Sequence, residues 1–109
     1  MSATRREPPA RASVQASNGV LSVSGMLTFA TVPDVFKQSA GWITKPNGPL
    51  TVDLNGVSRA DSAGLALLVE WRRLARRAGR ELRFTDIPEQ VQSLIHVSGL
   101  SQAFGLNDH

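Results

Sequence analysis

One stretch limits the fold more than any other: Leu50 to Leu68, which reads as strand, short loop, Asp-Ser-x-Gly-Leu, helix. Leu50, Val52 and Leu54 alternate with Thr51 and Asp53, so one face of a strand is apolar. Asn55-Gly56 is expected to close that strand, and a short connection runs through Ser58 and Arg59 to Asp61. A long helix pattern, Ser62 to Ala78, follows. Leu67, Leu68, Trp71, Leu74, Ala75 and Ala78 form a continuous apolar stripe. A helix with such a stripe must cover a sheet or another helix, and a strand precedes it directly, so the chain is expected to be α/β.

The flanking segments extend this pattern. Ala12–Ala16 and Val20–Ser24 enclose Asn18-Gly19, a pair that readily takes the positive φ angles of a two-residue hairpin turn. Gly25 is read as the break after the second strand. Val32 to Ala40 is a helix candidate with Thr31 as cap, Pro33 in the first turn and Gly41 as its stop. Lys45-Pro46-Asn47-Gly48-Pro49 is a turn. Glu81 to Asp86 is a further strand, and Pro88 opens a last helix that carries Val91, Leu94 and Ile95 and stops at Gly99. The order is strand, strand, helix, strand, helix, strand, helix. The four Phe and two Trp are assigned mostly to the core.

Residues 1–11 read as a flexible leader, because Pro8-Pro9 blocks regular structure and apolar residues are few; residues 12–109 form one domain. At 109 residues the chain can bury a core without staples. It has no cysteine, which excludes disulfides, thiolate metal sites and cysteine nucleophiles. No apolar run approaches the roughly 18–20 residues that span a bilayer, and no apolar core follows Arg5, Arg6 and Arg11, so neither a membrane span nor a secretory signal is expected.

The net charge is +3, and ten of the twelve basic residues are Arg, six of them between Arg72 and Arg83. A local basic patch can meet phosphate, lipid or an acidic protein face, and is more commonly a solvated helix face. Aromatic residues are only 6% and Tyr is absent, so the stacking half of nucleic-acid recognition is missing. His96 and His109 are the only histidines. No spacing points to a catalytic triad, a phosphate-binding loop or a cofactor site. Asp53 and Asp61 as a metal or phosphatase pair is the weaker reading beside a solvated strand residue and a helix cap. No enzyme activity, cofactor or metal is expected.

The chemistry that remains lies at the mouth of the long helix. Asp61 or Ser62 supplies the capping oxygen. The Ser62 hydroxyl sits near free N–H groups and the positive end of the helix dipole, where a phosphate would be favoured. Gly64 leaves the first turn bare for an approaching surface. Leu65 and Val69 lie off the main stripe beside Ser62 and Ala66 and form a small apolar patch. The bland reading is that Ser62 only caps and Gly64 only relieves crowding.

The motif Asp61-Ser62-Ala63-Gly64-Leu65, the strand–helix order and the late Ser98-Gly99-Leu100 resemble the STAS domain family, over about Val20 to Leu106. The resemblance implies a mixed sheet of four to five strands with helices mainly on one face, and a domain that binds other proteins without chemistry of its own. Val57 to Leu68 looks most like the MlaB branch. That likeness implies a cytoplasmic subunit, peripheral to the inner membrane, that binds the MlaF-like ATPase of an ABC phospholipid transporter maintaining outer-membrane lipid asymmetry. The partner site it implies is Asp61, Ser62, Ala63, Gly64, Leu65, Ala66 and Val69. The other branch is the anti-sigma-factor antagonist, with Ser62 as phosphoacceptor. Antagonists carry an acidic pair after the Gly that ends the second strand, and here Gly25 is followed by Met26-Leu27-Thr28-Phe29.

Overall fold

The computed structural model describes residues 11–45 and 48–106; residues 1–10 of the expected leader, part of the turn at 45–49 and the last three residues lie outside this description. The elements are β1 (Ala12–Ser17), β2 (Val20–Leu27), α1 (Val32–Ile43), β3 (Leu50–Ala60), α2 (Ser62–Arg77), β4 (Leu82–Thr85) and α3 (Glu89–Val97). The sheet order is β1-β2-β3-β4, with β1 antiparallel to β2 and the other two pairs parallel. The α/β class and the element order are those read from the pattern, and the mixed four-stranded sheet is what the STAS resemblance implies.

The hairpin forms as its residues dictate. Asn18 and Gly19 take φ of 51° and 78°, and Ser17 pairs with Val20 across the two-residue turn. The chain then steps β2, β3, β4 in one direction across the sheet. The crossover helices α1 and α2 pack against one another over the same sheet. Leu21, Val23, Leu27, Leu50, Val52 and Leu54 are buried beneath them. The opposite face carries Ser13, Gln15, Ser22, Ser24, Thr51 and Asp53, and Ser13 and Ser24 share a hydrogen bond of 2.9 Å there.

α2 lies at the centre of the helical layer. Leu67, Leu68, Trp71 and Ala75 are buried, and a fully buried side chain of the Leu class contributes roughly 1.5–3 kcal/mol. Trp71 cannot bury its indole N–H unpaired. It donates to Ser39 Oγ on α1 at 2.8 Å, and that hydroxyl donates to Val35 O at 2.7 Å.

Five local expectations are corrected. Gly41 does not stop α1: Ile43, two residues on, is wholly buried, and its packing holds the helix through the glycine. Thr31 does not cap α1; its hydroxyl donates to Met26 O at 2.6 Å and accepts from the Thr28 N–H at 3.0 Å, which ties down the preceding loop. Gly25 does not end β2, and Asn55-Gly56 does not end β3. Both strands continue, with register shifts between Ser22 and Ser24 and between Gly25 and Met26 that let β3 bulge. Arg80, counted in the basic cluster, is only 6% exposed and belongs to the interior.

Candidate functional site

The site begins where β3 ends. Ala60 is buried beside Leu27 of β2, and the Asp61 N–H donates to Leu27 O at 3.1 Å. Asp61 then leaves the sheet with extended backbone and caps α2. Its Oδ1 accepts the N–H groups of Ala63 at 2.9 Å and Gly64 at 3.1 Å. Its carbonyl accepts the Leu65 N–H at 3.0 Å, the first bond of the helix. Asp61, not Ser62, is therefore the cap.

The second carboxylate oxygen does something that the sequence gives no sign of. Oδ2 accepts the Phe29 N–H at 3.2 Å, across from the β2–α1 loop. Burial alone would raise the Asp61 pKa, but the N–H donors of Gly64, Phe29 and Ala63 outweigh it and hold the carboxyl below its ordinary value. The carboxylate is thus ionised at neutral pH and compensates the positive helix end. The expectation of several free N–H groups awaiting a phosphate is corrected: those of Ala63 and Gly64 are taken by Asp61 Oδ1, and that of Asp61 itself by Leu27 O.

Phe29 is 77% exposed. It is the exception to the assignment of the aromatics mostly to the core, because the Thr28–Thr31 turn leaves the ring outside. That turn is braced by Thr31 N–H to Thr28 O at 2.9 Å and Ala30 N–H to Thr28 Oγ1 at 3.3 Å. The signal available in sequence was Thr28-Phe29-Ala30-Thr31, an aromatic between two hydroxyl residues rather than in a strand or helix pattern.

The expected partner patch separates into two groups. Ser62 and Ala66 are exposed, with Val69 half-buried at their flank. Leu65 is only 7% exposed and joins the hydrophobic core, so it offers no surface to a partner. Gly64 is also buried. A Cβ there would run into the Leu27 carbonyl oxygen and the Ala60 side chain, so the bare turn serves the approach of α2 to β2 and not an outside surface. Ala63 is half-buried above the cap. The accessible surface is therefore Phe29 and Ala30 of the loop with Ser62 and Ala66 of the helix. Farther along the same exposed face come Arg73, Arg76 and Arg77; Arg73 pairs with Glu70 at 2.8 Å.

Chemistry requiring converging acids is not assembled here. Asp53 lies in β3 with Oδ1 accepting the Asn55 N–H at 2.9 Å, and Asp61 follows the far end of the same strand, on the order of 25 Å away at 3.3 Å per residue. Among the described residues, no group of three or more His, Cys, Asp or Glu could hold a metal ion. None of the described helices is long and apolar enough to cross a membrane.

A family model described as MlaB, STAS domain, matches residues 10–107. The chain belongs to the MlaB-type STAS domain family. No curated protein matches the sequence. Among solved structures, the STAS fold recurs in an anti-sigma factor antagonist from Mycobacterium paratuberculosis, at 24% identity and a TM-score of 0.62, over 93% of this chain and 87% of that one. It recurs in the murine Solute Carrier 26 family member A9 anion transporter, at 25% identity and a TM-score of 0.60, over 81% of this chain. A structure of SLC26A9 matches at 21% identity and a TM-score of 0.62. This STAS chain spans 15% and 18% of those two transporter chains. STAS domains are generally regulatory and non-catalytic, in keeping with a site made of a capped turn and an exposed ring.

Proposed function

We propose that this STAS domain is the non-enzymatic subunit of an inner-membrane ABC phospholipid transporter, bound on the cytoplasmic side to the MlaF-like ATPase. It would support the maintenance of outer-membrane lipid asymmetry. The observation that carries the reading is the MlaB-type model, which matches residues 10–107, nearly the whole chain. The docking face is the exposed part of the site: Phe29 and Ala30 with Ser62 and Ala66, held in place by Asp61 and bordered by Val69. A braced, exposed aromatic loses little freedom on docking, which suits it to anchor a protein contact. A subunit bound there shifts the ATPase toward whichever conformation it binds better.

Purification from the native cell tests this. The wild-type chain is expected to bring down an ABC ATPase and its permease. Phe29→Ala and Ala66→Arg are expected to lose them while remaining folded. Leu65→Asp is unsuitable, since it would place a charge in the core. Normal co-purification of both surface variants would refute the docking face; recovery of an anti-sigma kinase instead of an ATPase would replace this function by the antagonist reading, with Ser62 as the phosphoacceptor.

A further inference from the structure

The docking turn is held from below by a residue of α3. β4 pairs with β3 only from Leu50 to Asp53, so the last residues of β3 have β2 on one side and no strand on the other. Gln90 fills that gap at one point. Its Oε1 accepts the Ala60 N–H at 2.8 Å, and its Nε2 donates to Ala60 O at 2.9 Å. A side-chain amide here reproduces both hydrogen bonds of a neighbouring strand residue. Ala60 immediately precedes Asp61, whose carboxylate holds Phe29, Ala63 and Gly64. α3 is itself fixed, because Val91 and Ile95 are buried and the Gln92 side chain donates to Ile87 O at 2.8 Å.

We infer that Gln90 is a positioning residue for the docking face: it clamps the end of β3 between α3 and β2 and so sets where Asp61 presents Phe29 and Ser62. The inference rests on the proposed docking role only for its consequence; the clamp itself is measurable in the isolated protein.

Residue-resolved hydrogen exchange on the full chain tests it. In Gln90→Ala the amides of Ala60, Phe29, Ala63 and Gly64 are expected to exchange about tenfold faster or more, with Val23 and Trp71 unchanged. Unchanged exchange at Phe29, Ala63 and Gly64, or equal acceleration at Trp71, would overturn the inference. Gln90→Glu supplies a second arm. Its carboxylate keeps the acceptor but loses the donor, and protonation near pH 4 restores a donor–acceptor pair. Protection at Phe29 and Gly64, corrected for intrinsic rates, is expected to recover toward wild type at that pH; no recovery would contradict a clamp. In partner binding, Gln90→Ala is expected to weaken ATPase capture about tenfold, whereas Ser93→Ala, at an exposed position of α3, is not. Failure of the wild-type chain to bind any ATPase would refute the proposed function and leave the exchange result to decide the clamp.

Discussion

The Asp61 carboxylate accepts the backbone N–H of Phe29 at 3.2 Å, joining residues 32 apart in the chain. One oxygen caps α2 and the other fixes the β2–α1 loop, so a single side chain aligns the two segments that carry the exposed surface. The arrangement explains how an aromatic ring can stand 77% exposed on an ordered turn. The backbone beneath it is held by an anion and by the Thr31 hydroxyl, just beyond the end of β2.

Removing that carboxylate should therefore cost more than a cap. Asp61→Ala leaves the N–H groups of Ala63, Gly64 and Phe29 without their acceptor, and an N-cap alone is worth about 0.5–2 kcal/mol. Urea unfolding should show a loss at or above the upper end of that range. Asp61→Asn, which caps nearly as well, should lose less. Equal losses in the two variants would mean that the negative charge, and not the capping oxygen that Asn retains, carries the contribution.

The same group gives the protein a pH dependence. The folded Asp61 pKa lies below its ordinary value of 3.8, so the unfolded chain takes up the proton first as pH falls. The stabilisation is fully present above the unfolded value and is lost as pH falls through the folded one. Wild type minus Asp61→Asn stability should be flat from pH 7 to 5 and shrink below about pH 4. Introducing a second negative charge with Ser62→Glu should raise the Asp61 pKa, seen by NMR titration of its carboxyl carbon.

Much of this fold could be read in the sequence because its elements are short, amphipathic and punctuated by turn residues. All seven elements appear in the expected order, and Asn18-Gly19 and the α2 stripe behave as their chemistry requires. Element ends were less legible. Gly41 and Gly56 look like stops locally, but Ile43 and Val57 beyond them are drawn into the core, and burial outweighs a glycine's cost. The site was half legible for the same reason. Asp61 and Ser62 sit at a helix start that any cap pattern marks, whereas Phe29 and Gln90 meet it through contacts 32 and 30 residues away, which no local period encodes. Leu65 was misplaced because the approach of α2 to Leu27 buries a wider arc than the main stripe defines.

Gly64 offers a test of that close approach. In an ordinary helix interior, Gly→Ala stabilises by about 1 kcal/mol. Here a Cβ would meet the Leu27 carbonyl oxygen and the Ala60 side chain, and neither backbone can retreat without moving the sheet. Gly64→Ala should therefore destabilise, by about 1–3 kcal/mol as for an overpacked core, and should shift the NMR signals of Leu27 and Ala60. A gain in stability would mean that α2 rides higher on the sheet than described.

Arg80 carries the last prediction. Its Nε donates to Gly48 O at 2.6 Å and its Nη1 to Trp42 O at 2.8 Å, so one buried guanidinium ties the end of α1 to the approach to β3. The Trp42 carbonyl belongs to the last turn of α1, where the helix dipole is negative and a cation is favoured. No acidic side chain pairs with Arg80 among the described salt bridges, so backbone carbonyls carry the compensation. Hydrogen bonds to a charged donor contribute about 1.5–3 kcal/mol. Arg80→Met keeps much of the packing volume and loses both bonds, and should lower stability by about that amount. Arg80→Lys keeps the charge but cannot place two donors in a rigid fork, and should recover less than half of the loss. Full recovery by Lys in thermal unfolding would mean that charge at the α1 terminus matters and the fork does not.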